Sequence, residues 1–140
     1  MIILDTNVLS ALMLRVPDQT VAAWLDKQPA TSVWTNSVTL FEIRFGLEAM
    51  PAGKRRTELF QDLESLLLSI DHRIAPFDAD AAIHASVLMA SRKLKGRPRE
   101  LRDTMIAGIV LSHRATLATR NISYFDDVAA TLVDPWSASV

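Results

Sequence analysis

The opening of the chain, Met1-Ile2-Ile3-Leu4 followed at once by Asp5-Thr6-Asn7, constrains the fold more than any other stretch. Successive apolar residues suit a strand buried on both faces, and such strands are usually the inner strands of parallel sheets. The apolar run then yields to a helix-starting pattern, which puts a carboxylate at the carboxyl end of the strand. In open α/β sheets the crevice outside those ends is where ligands bind. Asp5 therefore has two readings: a helix cap that accepts from an exposed backbone N–H, and a member of a site. Other acids must decide between them.

Apolar residues recur at helical spacing in Val8-Leu9-Ala11-Leu12 and in Val21-Ala22-Trp24-Leu25, with Pro17 between the two runs. Thr31-Ser32-Val33-Trp34-Thr35 is β-prone, and Asn36 or Ser37 can cap the helical run Val38-Leu40-Phe41-Phe45-Leu47. Beyond Pro51 and Gly53, the residues Leu59, Leu63, Leu66, Leu67 and Ile70 mark an amphipathic helix. A short strand at Arg73-Ile74-Ala75-Pro76-Phe77 precedes an Ala-rich helix that starts at Asp78 or Asp80 and ends near Lys95, stopped by Gly96 and Pro98. The pattern predicts another helix from Asp103 to about His113, a strand at Leu117-Ala118-Thr119 and a last one at Thr131-Leu132-Val133. Strands alternating with helices through short connections imply an α/β fold, a central parallel sheet flanked by helices on both faces. We expect a single domain over 1–140.

The absence of Cys fits a reducing compartment and removes thiolate chemistry, and His72, His84 and His113 show no spacing suited to zinc. A net charge of −1 marks no strong polyanion binder overall, although a local basic stripe can hide in a near-neutral total. No basic segment followed by an apolar core opens the chain, and the apolar stretches at Leu66–Ile70 and Met105–Leu111 fall short of the roughly 18 residues that span a bilayer. The expectation is a cytoplasmic protein with no membrane partner.

Glu42 lies beside the apolar stripe of Val38, Phe41 and Phe45, where it can face a pocket; Thr39-Leu40-Phe41-Glu42 also matches a capping box. Asp103 precedes a helix apolar nearly all round, Met105-Ile106-Ala107-Gly108-Ile109-Val110-Leu111, and could be its N-cap or an acid at the mouth of the core. Asn121 follows the Leu117–Thr119 strand through Arg120, the same strand-exit position that Asp5 holds, with a turn residue as the simpler reading. Asp126 and Asp127 are expected in a solvated loop. Taken together, Asp5, Glu42, Asp103 and Asn121 can meet at one end of a doubly wound sheet. Carboxylates about 4 Å apart repel by about 4 kcal/mol at an effective dielectric of about 20, so such a cluster calls for protons or a cation. An oxygen-only shell favours Mg²⁺ or Mn²⁺.

Ile2-Ile3-Leu4-Asp5-Thr6-Asn7-Val8-Leu9-Ser10, the T-x-x-E-x-x-x-G of Thr39, Glu42 and Gly46, the R-D-T-M-I-A at 102–107 and the L-A-T-R-N at 117–121 together resemble the PIN-domain ribonucleases. The likeness is to the VapC and FitB type of toxin from bacterial toxin–antitoxin pairs, and it reaches the closing Asp134-Pro135-Trp136. The resemblance implies a PIN fold, a metal-dependent endoribonuclease that hydrolyses RNA phosphodiester bonds, a cognate antitoxin, and a homodimer able to join antitoxin and operator DNA in a larger assembly. It assigns Asp5, Glu42 and Asp103 as catalytic acids and metal ligands, and Asn121 as the neutral occupant of a fourth position. Some relatives carry an acid three residues later, where this chain has Tyr124. One firmly held metal is therefore expected.

Arg92, Lys93, Lys95, Arg97, Arg99 and Arg102 lead up to Asp103, and Arg97, Arg99 and Arg102 are the expected RNA-phosphate contacts. Lys54-Arg55-Arg56 is a weaker basic stretch. Trp24, Trp34, Phe41, Phe45, Phe60 and Trp136 read as core or near-core groups, so no platform for stacked bases is recognisable. A phosphatase using Asp5 as nucleophile is disfavoured because Asn7 stands where that chemistry places a second acid. The remaining alternative is a catalytically weak PIN-fold binding protein that acts through its antitoxin and DNA complex.

Overall fold

A computed structural model describes residues 1–137; residues 138–140, the end of the expected domain, lie outside the described residues. Five parallel strands form one sheet: β1 (Ile2–Leu4), β2 (Val33–Asn36), β3 (Ile74–Ala75), β4 (Thr116–Ala118) and β5 (Leu132–Val133), in the order β3-β2-β1-β4-β5. The helices are α1 (Thr6–Leu12), α2 (Gln19–Asp26), α3 (Ser37–Glu48), α4 (Lys54–Ser69), α5 (Ala79–Leu94) and α6 (Leu101–His113). The expected α/β architecture is thus present, with the strand before α3 starting later because Ala30–Ser32 form a 3-10 turn.

β1 is central because its residues can be buried on either side. Leu4 joins the core beneath α1, α2, α3 and α4, with Val8, Val21, Ile43, Leu63 and Ala118, whereas Ile3 joins the core beneath α5 and α6, with Leu88, Ile106, Ile109, Val110 and Leu117. The alternation of neighbouring residues between faces is the two-residue period of a strand. In β1 the register sets Ile3 beside Trp34 on one side and Leu117 on the other. Chain order runs outward from β1 through β2 to β3, then jumps back across it to β4 and β5. The reversal opens a crevice between the carboxyl ends of β1 and β4, the topological switch point of the sheet.

Local chemistry starts the helices where the strands end. Asp5 caps α1, Asp18 caps α2, Asn36 caps α3 and Asp78 caps α5, each accepting from a first-turn N–H. Because Asn36 receives the Thr39 N–H at 2.8 Å, α3 begins at Ser37 and the Thr39–Glu42 capping box does not form. Glu100, accepting from the Asp103 N–H at 3.1 Å, caps α6, so Asp103 sits within the first turn rather than at the cap. α5 and α6 press together at Gly108, where an added Cβ would lie 2.7 Å from the Ala85 Cβ and closer still to the Ala81 carbonyl oxygen. Among the described residues no helix is long and apolar enough to cross a membrane.

The aromatic expectation holds in part. Trp24 is buried and Trp34, Phe60 and Trp136 are half-buried, but Phe41 and Phe45 stand 59% and 60% exposed, stacked at 6.2 Å between ring centroids. α3 instead buries Val38, Thr39, Ile43 and Leu47. The helix is rotated because Thr39, polar yet fully buried, is drawn inward by Asn36, whose Nδ2 donates to the Thr39 hydroxyl at 3.0 Å.

Candidate active site at the strand exits

Asp5 is 5% exposed at the end of β1. Its N–H donates to the Ala118 carbonyl at 3.1 Å, continuing the β1–β4 ladder by one residue, and its Oδ1 accepts from the Val8 N–H at 3.1 Å. It is therefore a helix cap, but not a comfortable one. Burial pushes its pKa from 3.8 up to about 6, even though the Thr119 hydroxyl and the Val8 N–H donate to it, and the charge of Asp103 pushes the same way. A surface cap gains from its negative charge; this one is penalised for it.

Glu42 sits half-buried one turn into α3 and is held by a directed chain of hydrogen bonds. The Thr6 hydroxyl donates to Glu42 Oε1 at 2.8 Å, which leaves Thr39, 3.1 Å away, to donate to Thr6. Thr39 in turn receives from Asn36, itself fully buried and also donating to the Leu4 carbonyl at 3.2 Å. Glu42 thus faces a cavity of 280 Å³ bordered by Thr6, Ser10, Met13, Gly46 and Arg55. Its other oxygen, Oε2, lies 3.9 Å from Arg102 Nη1.

Asp103 has its pKa raised, first by burial, then by the charges of Glu100 and Glu42, with Arg102 and Arg92 opposing. Asp5 and Asp103 act on each other, as do Asp103 and Glu42, so the structure brings these acids into one electrostatic neighbourhood. Asn121 is tied to Asp5 through its backbone alone: its main-chain N–H donates to the Thr119 Oγ1 at 3.0 Å, while that fully buried hydroxyl donates to Asp5. Among the described residues no group of three or more His, Cys, Asp and Glu side chains is drawn tight enough to hold a metal ion, Glu42 being engaged by Thr6 and Arg102.

The basic run divides on folding. Arg92 is 2% exposed and turned inward, contrary to its reading as part of a cationic surface, and pairs at 2.8 Å with Asp127, which lies with Asp126 in an exposed turn as expected. Arg102 spends its charge on Glu100 at 3.0 Å and on Glu42. Arg99 lies 3.8 Å from Asp126 with its guanidinium 5.4 Å from the centre of the Tyr124 ring, while Arg97 is exposed. In the weaker stretch, Arg56 bonds the Leu47 carbonyl and Glu48, and Lys54 lies 3.9 Å from Glu58. The residues that sequence reasoning missed are Thr6, Thr39 and Thr119, whose hydroxyls wire the acids to the strands.

The acids stand at the switch point of a parallel sheet, where open α/β folds commonly place their sites, and comparison names the family. The PIN domain family matches residues 2–130, and the chain belongs to that family. Across 137 residues it is 41% identical to the VapC ribonuclease Y4jK of Sinorhizobium fredii, covering 97% of this chain and 98% of that protein. The tRNA(fMet)-specific endonuclease VapC of Salmonella typhimurium is 30% identical over 72% of this chain and 73% of its own. The solved structure of FitAB bound to an IR36 DNA fragment superposes with a TM-score of 0.89 at 31% identity, covering 100% of this chain and 99% of that one.

Proposed function

We propose that this chain is the toxin of a toxin–antitoxin pair and a metal-dependent endoribonuclease, with Asp5, Glu42 and Asp103 as its acids and Asn121 as a neutral fourth member. One observation carries the reading: Asp5 is a carboxylate buried at the switch point, with its pKa pushed up to about 6 by that burial and by a second carboxylate, Asp103. Folding gains the α1 cap from Asp5 but is penalised for its charge, and a bound cation relieves that penalty. The donor set suits a hard divalent ion, Mg²⁺ or Mn²⁺, since every candidate ligand presents oxygen. Asp5 and Asp103 would hold it, joined by Glu42. When bound, such an ion supplies Lewis acidity toward a phosphate and toward the water that hydrolyses it.

The chain's own residues do the rest. Thr6 and Thr119 orient Glu42 and Asp5 through hydroxyl bonds, and the caps of α1 and α6 hold the acid-bearing turns. Arg97, exposed, and Arg99, paired only across 3.8 Å, are the proposed phosphate contacts; Arg102 serves as a cation at the rim of the acids. A cognate antitoxin, with operator DNA in a larger assembly, and a homodimer complete the proposal. Phe41 and Phe45 offer apolar surface that a second copy would cover.

The test is incubation of antitoxin-free protein with total RNA, with and without Mg²⁺ or Mn²⁺, followed by mapping of the fragments. Cleavage should require the ion and vanish in Asp103→Ala. Ion-independent cleavage, or an Asp103→Ala protein as active as wild type, would remove the reading. A folded wild type that binds antitoxin and cuts nothing would favour the weak-binding alternative instead.

A further inference from the structure

The Arg92 guanidinium, in the last turn of α5, makes more contacts than a structural ion pair requires. Nε and Nη2 each donate to one oxygen of Asp127 at 2.8 Å, Nη1 donates to the Thr104 hydroxyl at 2.9 Å, and Nη2 also reaches the Tyr124 carbonyl at 3.2 Å. An arginine has five N–H donors in a rigid planar fork, and these bonds use all but one of them. Thr104 hands the connection on, its hydroxyl donating to the Glu100 carbonyl at 3.1 Å.

The three attachment points are distinct pieces of the site. Thr104 follows Asp103 in the first turn of α6. Tyr124 ends its bond within a 3-10 turn, Ile122–Phe125, that starts directly after Asn121, and Asp127 lies just beyond. One buried side chain therefore sets the distance between the helix start that carries Asp103 and the loop that leaves β4 through Asn121. Arg99, paired with Asp126 and lying over the Tyr124 ring, grips the same loop from outside. As a source of stability alone, an ion pair whose carboxylate is 33% exposed is a poor choice, because solvent screens it and apolar side chains commonly serve as well. What the fork supplies, and they do not, is fixed geometry.

We propose that Arg92 is a positioning residue of the nuclease site: through Thr104 and the 122–127 loop it holds Asp103 and Asn121 in register, touching neither substrate nor ion. The proposal rests on the metal-dependent reading given above. Partners hydrogen-bonded directly to metal ligands typically change affinity 10–100-fold when lost; Arg92, which bonds chain neighbours of Asp103 and Asn121, should fall at the lower end of that range.

The experiment separates position from stability. The double variant Arg92→Met/Asp127→Leu replaces the ion pair with apolar groups, and its thermal unfolding, Mn²⁺ affinity by calorimetry, and kcat and KM on an RNA substrate are compared with wild type. The expected result is a melting temperature within a few degrees of wild type, Mn²⁺ binding weakened about tenfold or more, and a loss carried by kcat with KM little changed. A double variant that melts like wild type and binds Mn²⁺ equally well would overturn the proposal. Should that variant fail to fold, Arg92→Lys keeps the charge without the fork; folded Arg92→Lys protein must also show weakened Mn²⁺ binding, and full affinity would overturn the proposal. A wild type that takes up no Mn²⁺, or an Asp103→Ala variant that binds it undiminished, would instead defeat the underlying metal reading, and this inference with it.

Discussion

Replacing Asp5 with Asn should stabilise the metal-free protein at neutral pH. Asn keeps an oxygen to receive the Val8 N–H and is as good a helix cap, so α1 should start unchanged. The gain comes from removing a charge that folding opposes. A carboxyl that titrates near 3.8 when unfolded and at about 6 when folded is penalised, once ionised, by about 3 kcal/mol. Losing the acceptor that faces the Thr119 hydroxyl costs about 1 kcal/mol in return, leaving a net gain of about 2 kcal/mol, or about 6 °C in melting temperature for a chain of this size. The sign of the pH dependence follows from proton binding. The folded state holds the Asp5 proton more tightly than the unfolded state, so between about pH 4 and pH 6 wild-type stability falls as pH rises, and the penalty is complete above that window. Thermal or urea unfolding in chelator, from pH 4 to pH 8, should show the two proteins converging in acid and separating toward neutrality. Added Mn²⁺ should then raise wild type and leave Asp5→Asn nearly where it was. A variant no more stable than wild type at pH 7.5, or a gap that does not narrow in acid, would refute the argument from burial.

Asn121→Asp should tighten divalent-ion binding measured by calorimetry, since a carboxylate would then stand where the chain has a neutral amide, and Asn121→Ala should impair cleavage less than Asp103→Ala. Arg97→Gln and Arg99→Gln should each flatten the salt dependence of RNA binding by about one unit of slope if the residue holds a phosphate; an unchanged slope in folded protein would remove that residue from the interface. Gly108→Ala should destabilise by about 1–3 kcal/mol or more, because the new methyl would press on the Ala81 carbonyl and Ala85 of α5, and chemical denaturation would read the loss directly.

Much of the candidate site is legible because it follows from where strands end. Asp5 was identifiable from the abrupt stop of Ile2–Leu4, and Asp103 from its place ahead of a helix apolar nearly all round. Glu42 was harder, and Phe41 and Phe45 were misjudged, because α3 carries apolar residues on more than one face and its rotation is set by a buried polar pair, Asn36 and Thr39. Hydrophobic pattern cannot register a threonine that folding draws inward. Arg92 was hidden by the cations around it, although a signal existed: it continues the spacing of Ala81, Ala85 and Leu88, the buried face of α5. Its partner Asp127, 35 residues away in sequence, carries no pattern at all. The hydroxyl wiring through Thr6, Thr39 and Thr119 was likewise out of reach, since it depends on side-chain direction rather than residue type.

The strand order also has a consequence for the chain as it is being made. β1 emerges first yet stays open on one side until late: it lies between β2 and β4, and β4 begins only at Thr116. Until then the Asp5 N–H has no Ala118 carbonyl to meet, and Thr119 and Asn121 do not yet exist. Contacts so distant in sequence form late in folding and cannot be anticipated by local structure. Fragments that stop short of β4, whether from interrupted synthesis or from proteolysis, lack the acid crevice altogether. A nascent chain of this topology therefore carries its acids without the crevice that gathers them until the last fifth of the sequence has been made.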